Sequence, residues 1–323
     1  MKGANASQVL IHMYDTIIIG GGPAGLAAAI YAVRRELKTL LITKHLGGQM
    51  IWASVIENYP AIKSATGPEL SDRMAEQVKN LGTEIKLAEV KKIEKTADGN
   101  FLVATGKENF SAKTAIIATG AEHRHLGVPG EEKLIGRGVA FCANCDGPLF
   151  RDKIVAVVGG GNSALDAAEV LSKIAREVYL IHQFNEFQAF EAFVKKVLAA
   201  PNIKPIMGGK VEEVLGGNRL EKIKIKKQND GALLEIAVNG LFVEIGLEIK
   251  TGLVEGLAER NKQKEVIINE KSETSMPGLF AAGDCASTAF KQITVAAGAG
   301  TTAALSAYRY IQTKEGHLEK LLK

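Results

Sequence analysis

Two stretches of the chain carry the same pattern of apolar and polar positions. Residues 14–19, YDTIII, form a short apolar run that passes into GGGPAG and then into LAAAIYAVRR, and a second apolar run, TLLIT, ends at Thr43. Residues 153–158, KIVAVV, pass in the same way into GGGNSA and LDAAEVLSKI, and the run VYLIH ends at His182. Each pattern predicts strand, glycine turn, helix, strand. Further on, residues 222–227 alternate lysine with isoleucine in KIKIKKQND, which predicts a half-exposed strand entering an Asn-Asp-Gly turn with its lysines toward water. A third apolar strand, GLFAAGD, ends on Asp284 and is separated from the first glycine turn by the whole second unit.

The glycines have physical work to do. Gly20 and Gly159 permit a tight turn, Gly22 and Gly161 let the backbone approach a pyrophosphate, and Gly25 or Ala164 allows close helix packing. The helix that comes next offers free N–H groups and the positive end of its dipole to phosphates, so Ala24, Asn162 and Ser163 stand at candidate donor positions, with Pro23, which has no N–H, opening the first helix beside them. One such turn is a weak signal. Two, each bracketed by strand and helix, predict a chain that binds two dinucleotides. A chain of 323 residues has room for about two domains. If Asp284 belongs to the first nucleotide site, the second domain is inserted into the first, with crossing points near Gly120 and Gly246.

Composition narrows the class only a little. A formal net charge of +4 among 40 basic and 36 acidic residues argues for no particular partner. The lysine strand has no interleaved aromatics to stack bases, so nucleic acid is not expected. No apolar run reaches membrane-spanning length and the N-terminus lacks signal-peptide features, so a cytoplasmic protein without a membrane partner is expected. A reducing compartment keeps unspecialised thiols reduced, which makes the three cysteines worth weighing one by one.

Cys142 and Cys145 lie in FCANCDG. Zinc needs about four ligands, and there is no second CxxC and no histidine pair at finger spacing, so no metal is expected. A structural disulfide closing so short a loop constrains the unfolded chain little. A redox dithiol remains, since two close thiols exchange with a disulfide at small backbone cost and a CxxC lowers one thiol's pKa. Asp146 comes directly after. It reads either as a proton donor and acceptor or as a turn residue before Gly147. Cys285 reads as a small buried residue.

From about residue 14 to residue 311 the chain resembles the low-molecular-weight thioredoxin reductases. The likeness is carried by GGGPAGLAAAIYA, GGQM followed by ENYP, ATGAEHRHLGVPGE, GRGVAFCANCDGPLF, GGGNSALDAAEVL, and PGLFAAGDC followed by FKQI. The resemblance implies an α/β fold of two Rossmann-like domains, three-layer β/β/α, the second inserted into the first. An FAD domain would span residues 1–120 and 249–323, and a pyridine-nucleotide-type domain carrying the CxxC would span 121–248. It also implies a homodimer and a swing that presents dithiol and nicotinamide alternately to one flavin. For FAD it implies contacts from Gly20, Gly22, Pro23, Ala24, Gly25, Thr43, Gly48, Gln49, Asn58, the backbone at Val90, Thr119, Gly120, Gly283 and Asp284, with Lys291, Gln292 and Ile293 near the ring. Trp52, the single tryptophan, is expected to be an ordinary packing residue. By position in the motif, Cys145 would take electrons at the flavin and Cys142 would attack the protein substrate.

The implied activity is FAD-dependent reduction of the disulfide in a thioredoxin- or glutaredoxin-like protein. A flavin dithiol oxidase, with no use for a nicotinamide site, and a non-catalytic redox flavoprotein are the alternatives. The chain departs from the family at the electron donor. NADPH-using relatives carry arginines after the second strand's histidine, and this chain reads IHQFNEFQAF, with Gln183, Phe184 and Gln188 in their place. No charge-assisted fork awaits a 2′-phosphate there, so NADPH is expected to bind poorly. NADH, or a reduced carrier such as ferredoxin or a deazaflavin, is the expected donor. No carboxylate ends the strand for the ribose, although Glu186 stands four residues on, and Lys195 and Lys196 read as a solvated helix face or as partial substitutes for the arginines.

Overall fold

The computed structural model describes residues 12–53 and 56–317. The described residues begin with β1 (His12–Gly21), α1 (Pro23–Arg34) and β2 (Thr39–Leu46). There follow α2 (Gly67–Asn80), β3 (Glu84–Leu87), β4 (Lys92–Lys95), β5 (Phe101–Ala104) and β6 (Asn109–Ile117). It then passes through β7 (Ala121–His123), α3 (Glu131–Leu134), β8 (Val139–Ala140) and α4 (Ala143–Asp146) to β9 (Ile154–Val158), α5 (Asn162–Ser172) and β10 (Glu177–His182). After α6 (Glu191–Leu198) come β11 (Ile203–Met207), β12 (Gly209–Leu215), β13 (Lys222–Lys227), β14 (Leu233–Ala237), β15 (Gly240–Val243) and β16 (Leu247–Ile249). The last elements are β17 (Leu279–Ala281) and α7 (Ile293–Lys314).

Two compact units result. The first comprises residues 1–50, 69–121 and 249–323, and the second residues 51–68 and 122–248. In the first, a sheet runs β3-β2-β1-β6-β5-β4, and β17 joins it on β6. One edge of β6 serves two partners: Asn109 to Ala112 pair antiparallel with β5, while Ala115 to Ile117 pair parallel with β17. The residues from the chain's far end thus complete the sheet that the N-terminus starts. Ile17, Ile19, Leu40, Ile42, Ala115, Ile117, Leu279 and Ala281 make its core, as expected for parallel strands covered on both faces. Helix α1 is small-residued, and α7 lies close against it. A Cβ on Gly300 of α7 would strike the Ala24 carbonyl, so only glycine permits that approach.

In the second unit a five-stranded parallel sheet, β11-β10-β9-β15-β8, stands beside an antiparallel sheet, β12-β13-β14. The lysine strand is β13, its two isoleucines fully buried, Lys222 and Lys226 exposed and Lys224 and Lys227 half-buried. Residues 51–68, which the family resemblance assigns to the first domain, group with this unit. They close on themselves through paired backbone bonds between Ile56 and Ala65, at 2.7 and 3.1 Å, and so form a local loop rather than a strand of the first sheet. Among the described residues no helix is long and apolar enough to cross a membrane.

Candidate functional site

The two glycine turns are near copies. Gly20 and Gly159 have φ of +116° and +148°, and a Cβ on either would collide with a carbonyl oxygen, that of Ala118 or Glu244. Gly22 and Gly161 are the N-caps of α1 and α5, both extended, and neither helix has a side-chain cap. No side chain of the protein therefore accepts from the first-turn N–H groups of either helix. A Cβ on Gly22 would meet nothing nearer than Gly48 Cα at 3.8 Å, and one on Gly161 nothing nearer than the Gln188 carbonyl at 4.0 Å. The space those side chains would fill is open. Both cradles fit a pyrophosphate on this ground.

Around the first cradle the structure places Ala24, Gly25, Thr43, Gly48 and Gly283. Gly25 packs so closely that a Cβ would strike the Gly20 carbonyl. Gly48, at φ +55°, lies against Gly22, and Gln49 next to it donates its amide to the Ala121 carbonyl. Thr43 donates its hydroxyl to the His45 carbonyl at 2.7 Å, so only its acceptor lone pairs face other partners. Gly283, at φ +75°, stands beside Ala24, which brings Asp284 to the N-terminus of α1 from the opposite end of the chain. Burial raises the Asp284 pKa, and Lys291 partly opposes the shift. Lys291 itself is held by the Ala286 carbonyl at 2.7 Å and by Glu265 at 2.8 Å, with Gln292 and Ile293 at the start of α7. Thr119 donates to the Lys250 carbonyl, Gly120 takes φ +72°, and Val90 is buried in the core. Cys285 is buried, its thiol 3.4 Å from the Ile117 carbonyl. Asn58 lies on the 51–68 loop, outside this unit. Trp52 is 59% exposed, contrary to the expectation of a packing residue.

The second unit carries the dithiol. Cys142 and Cys145 form a disulfide across α4, with Cα atoms 5.3 Å apart. Cys142 caps this short helix, and the Cys145 N–H donates to its sulfur at 3.2 Å. Asp146 closes the turn, and burial pushes its carboxyl up to about 6. Proton exchange near neutral pH is within its range. Ala143 and Phe150, on either side, are packed into one core with Ala164, Leu165, Ala168 and Leu171 of α5, so dithiol and second cradle belong to one rigid body. Phe141, just before Cys142, stacks on His123 and meets His125 at a tilt of 58°, both at 5.1 Å between ring centres.

Beside the second cradle, Asn162, Ser163, Asp166, Phe190 and Phe193 line a hollow. Lys196 is committed to Glu169 of α5 at 2.9 Å and Lys195 is exposed, which matches a solvated helix face. Glu244 escaped sequence reasoning. It comes directly after the wholly buried β15, and burial, with Asp166 adding repulsion, pushes its carboxyl up to about 8. A charged residue directly after LFV was the signal available.

A pyridine nucleotide-disulphide oxidoreductase family model matches residues 14–300. The chain belongs to that family. It is 38% identical over 92% of its length to an NADH dehydrogenase of Bacillus subtilis, and spans 58% of that relative. A thioredoxin reductase structure from Streptococcus pyogenes matches with a TM-score of 0.89 at 38% identity, over 93% of this chain and 99% of that one. A ferredoxin-flavin thioredoxin reductase from Clostridium acetobutylicum matches with a TM-score of 0.52 at 30% identity, over 94% and 99%. The chain is thus a thioredoxin reductase-like flavoprotein with a Cys142–Cys145 pair, and its family implies FAD and a pyridine nucleotide.

Proposed function

We propose that this chain is an FAD-dependent reductase of protein disulfides, acting through Cys142 and Cys145 on a thioredoxin- or glutaredoxin-like protein. The observation that carries the reading is the disulfide itself, closed across one turn beside the buried carboxyl of Asp146. In the reduced pair, the Cys142 thiolate attacks one sulfur of the partner's disulfide and expels the other as a thiolate. Cys145 then attacks the Cys142 sulfur, which frees the partner as a dithiol and restores the internal disulfide. Asp146 holds a proton for the departing thiolate and takes one back as Cys145 ionises. Bound FAD supplies the two electrons that reopen the disulfide. Assembly as a homodimer forms part of the same reading.

The intact second cradle speaks for a reductase over a dithiol oxidase, which needs no second dinucleotide. The missing arginines speak against NADPH, and the name of the Bacillus relative supports NADH as donor. A second reading, reduced ferredoxin, draws on the name of the Clostridium neighbour and on the same missing arginines. Steady-state thiol formation on thioredoxin, set against oxygen consumption, tests the activity. Thiol formation that Cys142→Ser abolishes supports it, and oxygen uptake with a small dithiol and no thioredoxin reduction would mark an oxidase. Anaerobic mixing with NADH, NADPH or reduced ferredoxin, tracked by flavin bleaching, tests the donor. Fast bleaching at micromolar NADPH would restore the ordinary family assignment.

A further inference from the structure

The two glycine folds can be compared station by station within one molecule. In the first, the segment after β2 returns to the middle glycine, and Gly47 N–H donates to the Gly21 carbonyl at 2.8 Å. In the second, the segment after β10 does the same, and Gln188 N–H donates to the Gly160 carbonyl at 2.7 Å. The side chain at the end of the second strand faces that middle glycine in both cases. In the first fold it is Thr43, whose Oγ1 lies 2.8 Å from where a Gly21 Cβ would stand. In the second it is the imidazole of His182, whose Cε1, Nδ1 and Nε2 are the atoms nearest to a Cβ on Gly160.

His182 is only 5% exposed, and its Nε2 has no hydrogen-bond partner. Such an orphan is unusual in a folded protein and asks for a ligand. Phe187 stacks on the ring at 5.8 Å and Phe184 meets it edge-on at 5.3 Å, so its plane is fixed. Burial lowers the imidazole pKa, so the ring is neutral at pH 7, while a backbone bond at Glu186 acts in the opposite direction. A backbone bond that favours the charged ring is one in which the ring N–H donates to a carbonyl. With Nε2 unpartnered, that donor is Nδ1, and Nε2 keeps a lone pair. It accepts a hydrogen bond and has none to give.

We propose that, at the second glycine turn, His182 is the residue that selects between the two nicotinamide dinucleotides, its Nε2 accepting a hydrogen bond from the adenosine ribose hydroxyl of NAD. This inference rests on the reading that the second cradle serves a dinucleotide donor. A hydroxyl offers the hydrogen that Nε2 lacks, whereas a 2′-phosphate offers only oxygens to a neutral acceptor. Nothing on the segment after β10 rescues the phosphate. QFNEFQAF contains no lysine or arginine and one acidic residue, Glu186.

The test is equilibrium titration of the oxidised, FAD-loaded protein with NAD⁺, NADP⁺ and the 2′-deoxyadenosine analogue of NAD⁺, none of which delivers a hydride. The proposal expects NAD⁺ to bind about 10-fold more tightly than the deoxy analogue and about 100-fold or more tightly than NADP⁺. His182→Phe keeps the aromatic stack and removes the acceptor, and should reduce the first ratio to about 2 or less. Should that variant fail to fold, the exposed pair Gln183→Arg and Gln188→Arg provides the second arm, and NADP⁺ affinity should rise about 10-fold or more. Equal affinity of wild type for NAD⁺ and its deoxy analogue would overturn the assignment, as would tighter binding of NADP⁺ or no binding at all. Because the titration does not involve the dithiol, a protein that binds NAD⁺ in this way yet reduces no protein disulfide would refute the proposed activity and leave this inference standing.

Discussion

At the residue scale the proposed chemistry rests on Asp146 and the two sulfurs before it. Replacing the carboxyl by an amide in Asp146→Asn leaves shape intact and removes the proton carrier. Thiol formation should fall by about 100-fold or more, and the limb of its pH profile near 6 should flatten. An unchanged profile, measured from about pH 5 to 8, returns Asp146 to a plain turn residue. The cysteine spacing was legible in the sequence because CxxC needs only two positions. The burial that raises Asp146 was not, since it depends on packing around α4 that no local pattern reports. Glu244 makes the same point. Its folded pKa, about 8, lies above its unfolded value of 4.5, so the folded chain binds the extra proton between those values. Stability is full below about pH 4.5 on this account and declines as pH rises toward 8. Glu244→Gln should remove most of that decline, a gain on the order of 1–3 kcal/mol at about pH 8, visible as a smaller fall in Tm from about pH 5 to 8. A Tm–pH curve identical to wild type contradicts it.

The element that recurs is strand, glycine turn, uncapped helix. At Gly22 the backbone is extended, at φ −76° and ψ −175°, and a Cβ would meet no atom nearer than 3.8 Å, so Gly22→Val should fold. The added side chain would fill the space left for the pyrophosphate, and the purified protein should lose its yellow colour and at least about nine-tenths of its FAD. Retention of one FAD per chain, counted by absorbance after denaturation, speaks against the first cradle as the flavin site. Both turns were readable from apolar runs and glycine spacing, since these arise from covalent geometry and strand periodicity alone. The segments after β2 and β10 were less legible. Sequence showed that arginines are missing after His182, but not that the ring is buried between Phe187, stacked on it, and Phe184, edge-on to it, with Nε2 unpartnered. The 51–68 loop groups with the second unit against its place in the sequence, because its closure on itself, through Ile56 and Ala65, leaves no periodic signature.

At the scale of the whole molecule, the chain builds its first unit from both ends and inserts the second between them. The clue in the sequence was Asp284, an acidic residue ending an apolar strand far from any matching turn. In the structure β17 takes the free edge of β6 and Gly283 reaches Ala24, which is why that strand can lie so distant in sequence. The dithiol, by contrast, sits within the inserted unit, in one core with the second cradle. The central claim is that Cys142 carries electrons out to a protein disulfide while Cys145 resolves the exchange. Its most direct test is a trap. Cys145→Ser, with FAD bound, is mixed with a thioredoxin whose resolving cysteine is serine and whose remaining thiol is activated as an aromatic disulfide. The account predicts a stable one-to-one covalent adduct, joined through Cys142 by peptide mass spectrometry and absent when Cys142→Ser is added. An adduct through any other residue, or none while the wild type still reduces thioredoxin, would contradict it.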